Sequence, residues 1–164
     1  MLRTILRSVR SAAAKMVSVL RDYPRLVSHS DAFSLHSVQL YVGDVEDEDH
    51  NILGGISFQM PRQGWPINRA VVIDKAKAAE FVEFLKRLED EQIPCSIMFP
   101  RHDCDLRWEV LKVRSNWHGG GGLFGYLDGN WLADHSNPAR VTITRESISL
   151  LRKCISERFL GKSK

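Results

Sequence analysis

The chain has 164 residues, 43% of them hydrophobic and 26% charged, with a formal net charge of +3. That length suits a domain with a core of its own, and the ordinary composition excludes disordered, collagen-like and disulfide-scaffold classes. No apolar run approaches the roughly 20 residues of a membrane-spanning helix.

The charge is unevenly divided. Residues 1–30 carry six bases (Arg3, Arg7, Arg10, Lys15, Arg21 and Arg25) against one acid, Asp22, a balance of +5 that leaves −2 for residues 31–164. Any argument from basicity to nucleic acid therefore passes through this arm. Within it Leu2, Ile5, Leu6, Val9, Ala13, Met16, Val17 and Leu20 recur at helical spacing and fill an arc of about 120°. The spacing predicts an amphipathic helix that ends at or before Tyr23, ahead of Pro24. Three roles compete for it: a helix docked on the body, a targeting segment, or a helix for a membrane surface or acidic partner. Its arginine-rich, acid-poor composition is that of a mitochondrial transit peptide, which would address the chain to the matrix. The lack of Trp and Phe on its apolar face weighs against membrane insertion.

From Asp31 the pattern turns to short extended segments. Ala32–Val42 reads as a strand with a bulge near His36 and Ser37. Asp44–Asp49 holds five acids in six residues and reads as a solvated loop. It lacks the ligand spacing and mid-loop glycine of an EF-hand. Ile52–Met60 alternates again, so the two strands make a hairpin around the acidic loop, with Gly54 and Gly55 marking a bend. Residues 61–69 read as a loop. Ala70–Ile73 is a strand that runs into a helix capped by Asp74, with a stripe of Ala78, Phe81, Val82, Leu85 and Leu88.

Strands are expected over Ile93–Phe99, Leu106–Val113 and Gly122–Leu132, the last with a tight turn at Asp128-Gly129. The strand-and-capped-helix design then returns. Val141 and Ile143 correspond to Val71 and Ile73, Thr144 to Asp74, and Ile148, Leu151 and Ile155 to Ala78, Phe81 and Leu85. The expected order is β-β-β-α, then β-β-β-β-β-α. This is an α+β fold, mainly antiparallel sheet with two strand-capped helices in an approximate β-β-β-α duplication, preceded by an N-terminal amphipathic helix. Residues 1–30 form the arm and residues 31–164 a single α+β domain.

Three cysteines, Cys95, Cys104 and Cys154, are an odd number without CxxC spacing, which suits a reducing, intracellular compartment. Cys95 and Cys154 sit in apolar segments as small hydrophobes. The chain lacks a Walker A loop, a strand–GxGxxG–helix, HExxH, GxSxG and paired CxxC motifs.

Three constellations remain. Arg101-His102-Asp103-Cys104-Asp105 has residue types that bind metal or form a nucleophile. Its carboxylates would raise the thiol pKa, and a polar turn is the simpler reading. Trp117-His118 followed by Gly119–Gly122 leads into a strand and not a helix, which suits a flexible hairpin loop better than a phosphate cradle. The strand Leu106–Arg114 mixes Arg107, Trp108, Lys112 and Arg114 near Arg101 and Trp117, the pairing of cations and rings that single-stranded nucleic acid uses. Strict alternation would place Lys112 and Arg114 on the face of Trp108, away from Arg107 and Glu109. His36, His50 and His135 are scattered surface residues.

The sequence is thus expected to encode a non-enzymatic interaction module, without a cofactor, that binds a protein partner or serves in an assembly. Arg101, Arg107, Lys112, Arg114, Trp117 and His118 are its candidate contacts. The alternative is single-stranded DNA or RNA binding through the same basic-aromatic sheet face. A second alternative is a small metal- or cysteine-dependent hydrolase at His102 and Cys104.

Overall fold

The structure, a computed structural model, describes residues 23–60, 67–102, 104–114, 121–129 and 138–161. Four strands come first: β1 (Arg25–Ser34), β2 (Gln39–Glu46), β3 (Ile52–Met60) and β4 (Ile67–Val72). Helix α1 (Lys75–Glu89) comes after them. Four more strands come next: β5 (Cys95–Phe99), β6 (Leu106–Arg114), β7 (Gly122–Asp128) and β8 (Ala139–Ile143). Helix α2 (Arg145–Ile155) then runs on as a π-helical turn over Ser156–Leu160. Each set of four strands pairs in chain order into an antiparallel sheet. The fold is α+β, with two antiparallel four-stranded sheets and two helices. Among the described residues no helix is long and apolar enough to cross a membrane. The N-terminal helix expected before Tyr23 lies outside the described residues.

Several elements differ from the sequence expectation. Residues 32–42 are not one bulged strand. They are the end of β1, a tight turn through Leu35–Val38, and the start of β2, with His36 at φ 70°. The bulges lie earlier on β1, between Leu26 and Ser28 and between His29 and Asp31. β1 also starts at Arg25 and β4 at Ile67, each earlier than the apolar pattern indicates. Asp44 and Glu46 belong to β2, so the acidic connection contracts to a turn over residues 47–51. Among the described residues four strands separate the helices; the second arm of the hairpin expected over Gly122–Leu132 lies past Gly129, outside the described residues.

The helices begin where capping chemistry requires. The Asp74 carboxylate accepts from Lys77 N at 2.7 Å, and Thr144 Oγ1 accepts from Ser147 N at 3.2 Å. Each supplies an acceptor to a first-turn N–H that has no partner within its helix. Lys86 and Arg87, and Arg152 and Lys153, stand in the last turns, where the helix dipole favours cations.

α1 buries Ala78, Phe81, Phe84, Leu85 and Leu88, and α2 buries Ile148, Leu151 and Ile155. Both stripes enter one core with Leu40, Val42, Ile56 and Phe58 of the first sheet. Trp108, Val110, Leu123, Leu127, Val141 and Ile143 join it from the second sheet. At its centre Phe81 stands edge-on to Phe99, with ring centroids 5.1 Å apart, and Phe84 to Trp108 at 5.3 Å.

The sheets meet where the β1–β2 turn docks on the outer edge of β8. Thr142 N donates to Leu35 O at 3.2 Å, Ser37 Oγ donates to Arg140 O at 2.6 Å, and His36 bridges Val141.

Candidate functional site

The second sheet has a buried face and an open one, and a bulge decides what the open one displays. Leu106, Trp108 and Val110 of β6 point into the core, leaving Arg107 and Glu109 outside. Between Val110 and Lys112 the register with β7 shifts: Val110 faces Gly125, while Lys112 faces Phe124 and Arg114 faces Gly122. The extra residue reverses the facing of the rest of the strand. Lys112 and Arg114 therefore share a face with Arg107 and Glu109, opposite to Trp108. This corrects the expectation from strict alternation. Trp108 is 1% exposed and belongs to the core.

Gly125 permits the bulge, because a Cβ there would run into the Glu109 carbonyl. The first sheet repeats the device. Gly43 of β2 lies opposite the β1 bulges, and a Cβ there would meet the Ser28 carbonyl.

β7 contributes rings to the open face. Phe124 pairs with Lys112 and with Thr142 of β8, and Tyr126 pairs with Glu109 and Arg140. The two rings meet edge to face at 5.4 Å. Lys112 Nζ lies 5.6 Å and Arg114 Cζ 5.2 Å from the Phe124 centroid, within cation–π range. Met98 of β5, 45% exposed, stands beside Arg107, and Asp128 stands on the other side of it. Arg107 reaches Glu109 at 3.5 Å. Lys112, Arg114 and Arg140 have no acidic partner among the described residues. The face thus has a cationic end, an aromatic middle and a mixed-charge end.

No family model matches the chain, and no curated protein matches it.

Of the six candidate contacts, Arg107, Lys112 and Arg114 are gathered on this face. Arg101 is not among them: its guanidinium donates to the Ala70 carbonyl at the outer edge of β4. Trp117 and His118 lie outside the described residues. Phe124, Tyr126, Arg140 and Met98 are face residues that the sequence reading passed over. Their signal was the alternation of Leu123, Gly125 and Leu127 against Phe124, Tyr126 and Asp128.

His102 and Cys104 are drawn to different partners. His102 Nδ1 lies 3.3 Å from Glu48, and Cys104 Sγ donates to Gly129 O at 2.8 Å. Among the described residues no group of three or more His, Cys, Asp and Glu side chains is placed to hold a metal ion. The three cysteines are not joined in disulfides. Burial raises the pKa of the Cys95 thiol, and burial with the nearby Asp31 pushes Cys154 up to about 12. A thiol that keeps its proton is a poor nucleophile.

The acidic turn is internally organised. Asp47 Oδ1 accepts from Asp49 N at 3.0 Å and Asn51 N at 2.8 Å, while Asn51 Nδ2 donates to Asp47 Oδ2 at 3.0 Å. These bonds, the Asn51 side chain first, hold the Asp47 carboxyl below its ordinary pKa. Glu46 is lowered likewise, first by His50, whose Nδ1 lies 2.8 Å away, then by Arg25, whose Nε donates at 2.8 Å.

Proposed function

We propose that the protein is a non-enzymatic binding module whose partner is another protein, docked on the outer face of the second sheet. One observation carries this reading: three cations with no acidic partner among the described residues, Lys112, Arg114 and Arg140, stand around the adjacent rings Phe124 and Tyr126 on an open sheet. Arg, Tyr, Phe and Met are the residue types enriched in protein interfaces, and the face displays all four. Glu109 and Asp128 give it a pattern of both signs, which suits a polypeptide of complementary pattern.

Single-stranded DNA or RNA is the second reading, favoured by the placing of Lys112 and Arg114 beside Phe124. Two features weigh against it. The faces of Phe124 available for base stacking are approached by cations, and the carboxylates of Glu109 and Asp128 repel phosphate.

The test compares the wild-type chain with Lys112→Glu/Phe124→Ala/Arg114→Glu. Affinity capture with crosslinking should recover a protein with the wild type and lose it with the variant. Anisotropy with labelled single strands at two salt concentrations should show weak binding unaffected by the substitutions. Tight, salt-sensitive binding abolished in the variant would transfer the face to nucleic acid. If both ligand classes ignore the substitutions, the reading fails.

Two architectural readings accompany it. The order of four strands and a capped helix, used twice, is an approximate duplication. Residues 1–22, the part of the expected 1–30 arm that precedes β1, are read as a cationic amphipathic segment, docked or used for targeting. Removal of residues 1–22 tests the latter: an unchanged thermal melt supports a targeting or partner segment, and early melting supports a docked helix.

A further inference from the structure

The acidic turn of the first sheet and the unpaired cations of the open face stand at opposite ends of the second sheet. β6 starts at Leu106, after the β5–β6 turn, and ends at Arg114. β7 returns from Gly122, beside Arg114, to Asp128, beside Arg107. His102, in the β5–β6 turn, reaches Glu48 at 3.3 Å, so the acidic turn over residues 47–51 is held at that end. Lys112 and Arg114 lie at the other end. At about 3.3 Å per residue the strand carries Arg114 roughly 20 Å beyond Arg107. One copy of the chain cannot bring these two groups together.

Each group keeps its charge after its neighbours are counted. Around the turn, Arg25 and His50 answer Glu46, and His102 answers Glu48. Asp47 and Asp49 have no Lys or Arg partner among the described residues. On the face, Glu109 and Asp128 both neighbour Arg107, and neither is the cross-strand partner of Lys112 or Arg114. The turn is therefore anionic and the far end of the face cationic.

Apolar surface accompanies the charge on both sides. Directly after the turn, Ile52 is 57% exposed and Leu53 40% exposed at the start of β3. On the face, the half-buried rings of Phe124 and Tyr126 run between β6 and β8. A projecting turn of carboxylates with a bare isoleucine matches a surface of cations around rings, with opposite charges at the rim and apolar contact at the centre.

We propose that the chain associates with itself head to tail: the acidic turn of one copy, with Ile52, docks on the outer face of the second sheet of the next. Its carboxylates meet Lys112 and Arg114, and Ile52 seats against Phe124. This rests on the reading of that face as a protein-binding surface, and it names the occupant as a second copy. The two surfaces differ and sit at opposite ends of the sheet, so each added copy presents another turn and another face. Assembly then continues past a dimer unless the ring closes.

Sedimentation velocity of the full chain tests this at about 0.1 M and about 1 M salt, which shortens the screening length from about 10 Å to about 3 Å. The mean mass should rise with concentration at the lower salt. The dissociation constant should increase roughly five- to ten-fold at the higher salt, the change expected when two or three exposed ion pairs are screened. Glu48→Lys/Asp49→Lys reverses the turn and Lys112→Glu/Arg114→Glu reverses the face, and each variant alone should stay monomeric. Their equimolar mixture should associate again, because it pairs an intact face with an intact turn. In that mixture the amide resonances of Lys112–Arg114 and Phe124–Tyr126 should shift in the first variant, and those of residues 47–53 in the second. Ile52→Ser, which leaves every charge in place, should weaken the association of the otherwise wild-type chain. A wild-type chain that is monomeric at millimolar concentration, variants that associate as the wild type does, or a mixture that stays monomeric or shifts other residues would each overturn the proposal. Capture of a different protein, lost when the face is reversed, by a chain that does not self-associate would overturn it too while leaving the binding face in place.

Discussion

Phe81→Ala tests whether the two sheets and two helices share one core. Phe81 is fully buried on α1 and touches the rings of Phe84, Phe99 and Trp108, so its truncation opens a cavity at the junction of α1 with the second sheet. Burying a phenylalanine side chain is worth about 1.5–3 kcal/mol. Its edge-on contacts add about 0.5–1.5 kcal/mol. With the cavity term, the expected loss is about 3–5 kcal/mol. For a chain of this size that lowers Tm by roughly 6–20 °C. Urea unfolding followed by tryptophan fluorescence measures it, since Trp108 stands beside the cavity. The control is Leu150→Ala on α2, whose side chain is mostly exposed, with a change under about 0.5 kcal/mol. A loss in Phe81→Ala below about 1 kcal/mol would refute the assignment of a common core.

Other perturbations probe single features. The Trp108 indole N–H is buried without a hydrogen-bond partner among the described residues, a deficit worth about 1–3 kcal/mol. Trp108→Phe, which removes that donor and keeps a ring, should cost under about 1.5 kcal/mol, against about 3–5 kcal/mol for Trp108→Ala. Equal costs in urea melts would mean that the donor is satisfied. Gly125→Val should force β6 from β7 and destabilise by about 1–3 kcal/mol or more. It should also alter the amide resonances of Lys112–Arg114, and an unchanged spectrum would disconnect the glycine from the bulge. Glu46 and Asp47 titrate below their ordinary values of 4.5 and 3.8, so both stabilise the fold at neutral pH. That contribution is lost as pH falls through the lowered values of the folded state. Glu46→Gln should therefore show a smaller fall in urea midpoint between pH 7 and pH 3 than the wild type. An equal fall would contradict the Arg25–Glu46–His50 arrangement.

Ile52–Met60 was legible as a strand from the spacing of Ile56, Phe58 and Met60, although Gly55–Phe58 are all buried, and Leu106–Val113 because it buries alternate positions as far as Val110. β1 was not, because an exposed edge strand imposes no hydrophobic pattern. Arg25–Ser34 keeps only Leu26 and Phe33 half-buried and interrupts its register with two bulges. The turn at Leu35–Val38 was hidden for the opposite reason: Leu35 and Val38 are fully buried and read as strand residues. The open face suffered from the β6 bulge. One extra residue moved Lys112 and Arg114 to the face of Arg107, and the period of two gives no notice of such an insertion. A local cluster of charge also does not reveal which carbonyl a long side chain such as Arg101 will reach.

The docking of the β1–β2 turn onto β8 also bears on the order in which the chain folds. Every strand pairs with its neighbour in sequence, so both sheets can grow from local hairpins with short loops to close. The bond from Ser37 to Arg140 spans 103 residues and, like the packing of α2 on α1 in the shared core, cannot form locally. During synthesis the first sheet and α1 emerge while β8 is still unmade. The buried side chains of Leu35 and Val38 then wait in solvent until residue 143 leaves the ribosome. The seam between the halves is a late event, and the nascent first half is the stage at which this protein is most exposed to misassembly.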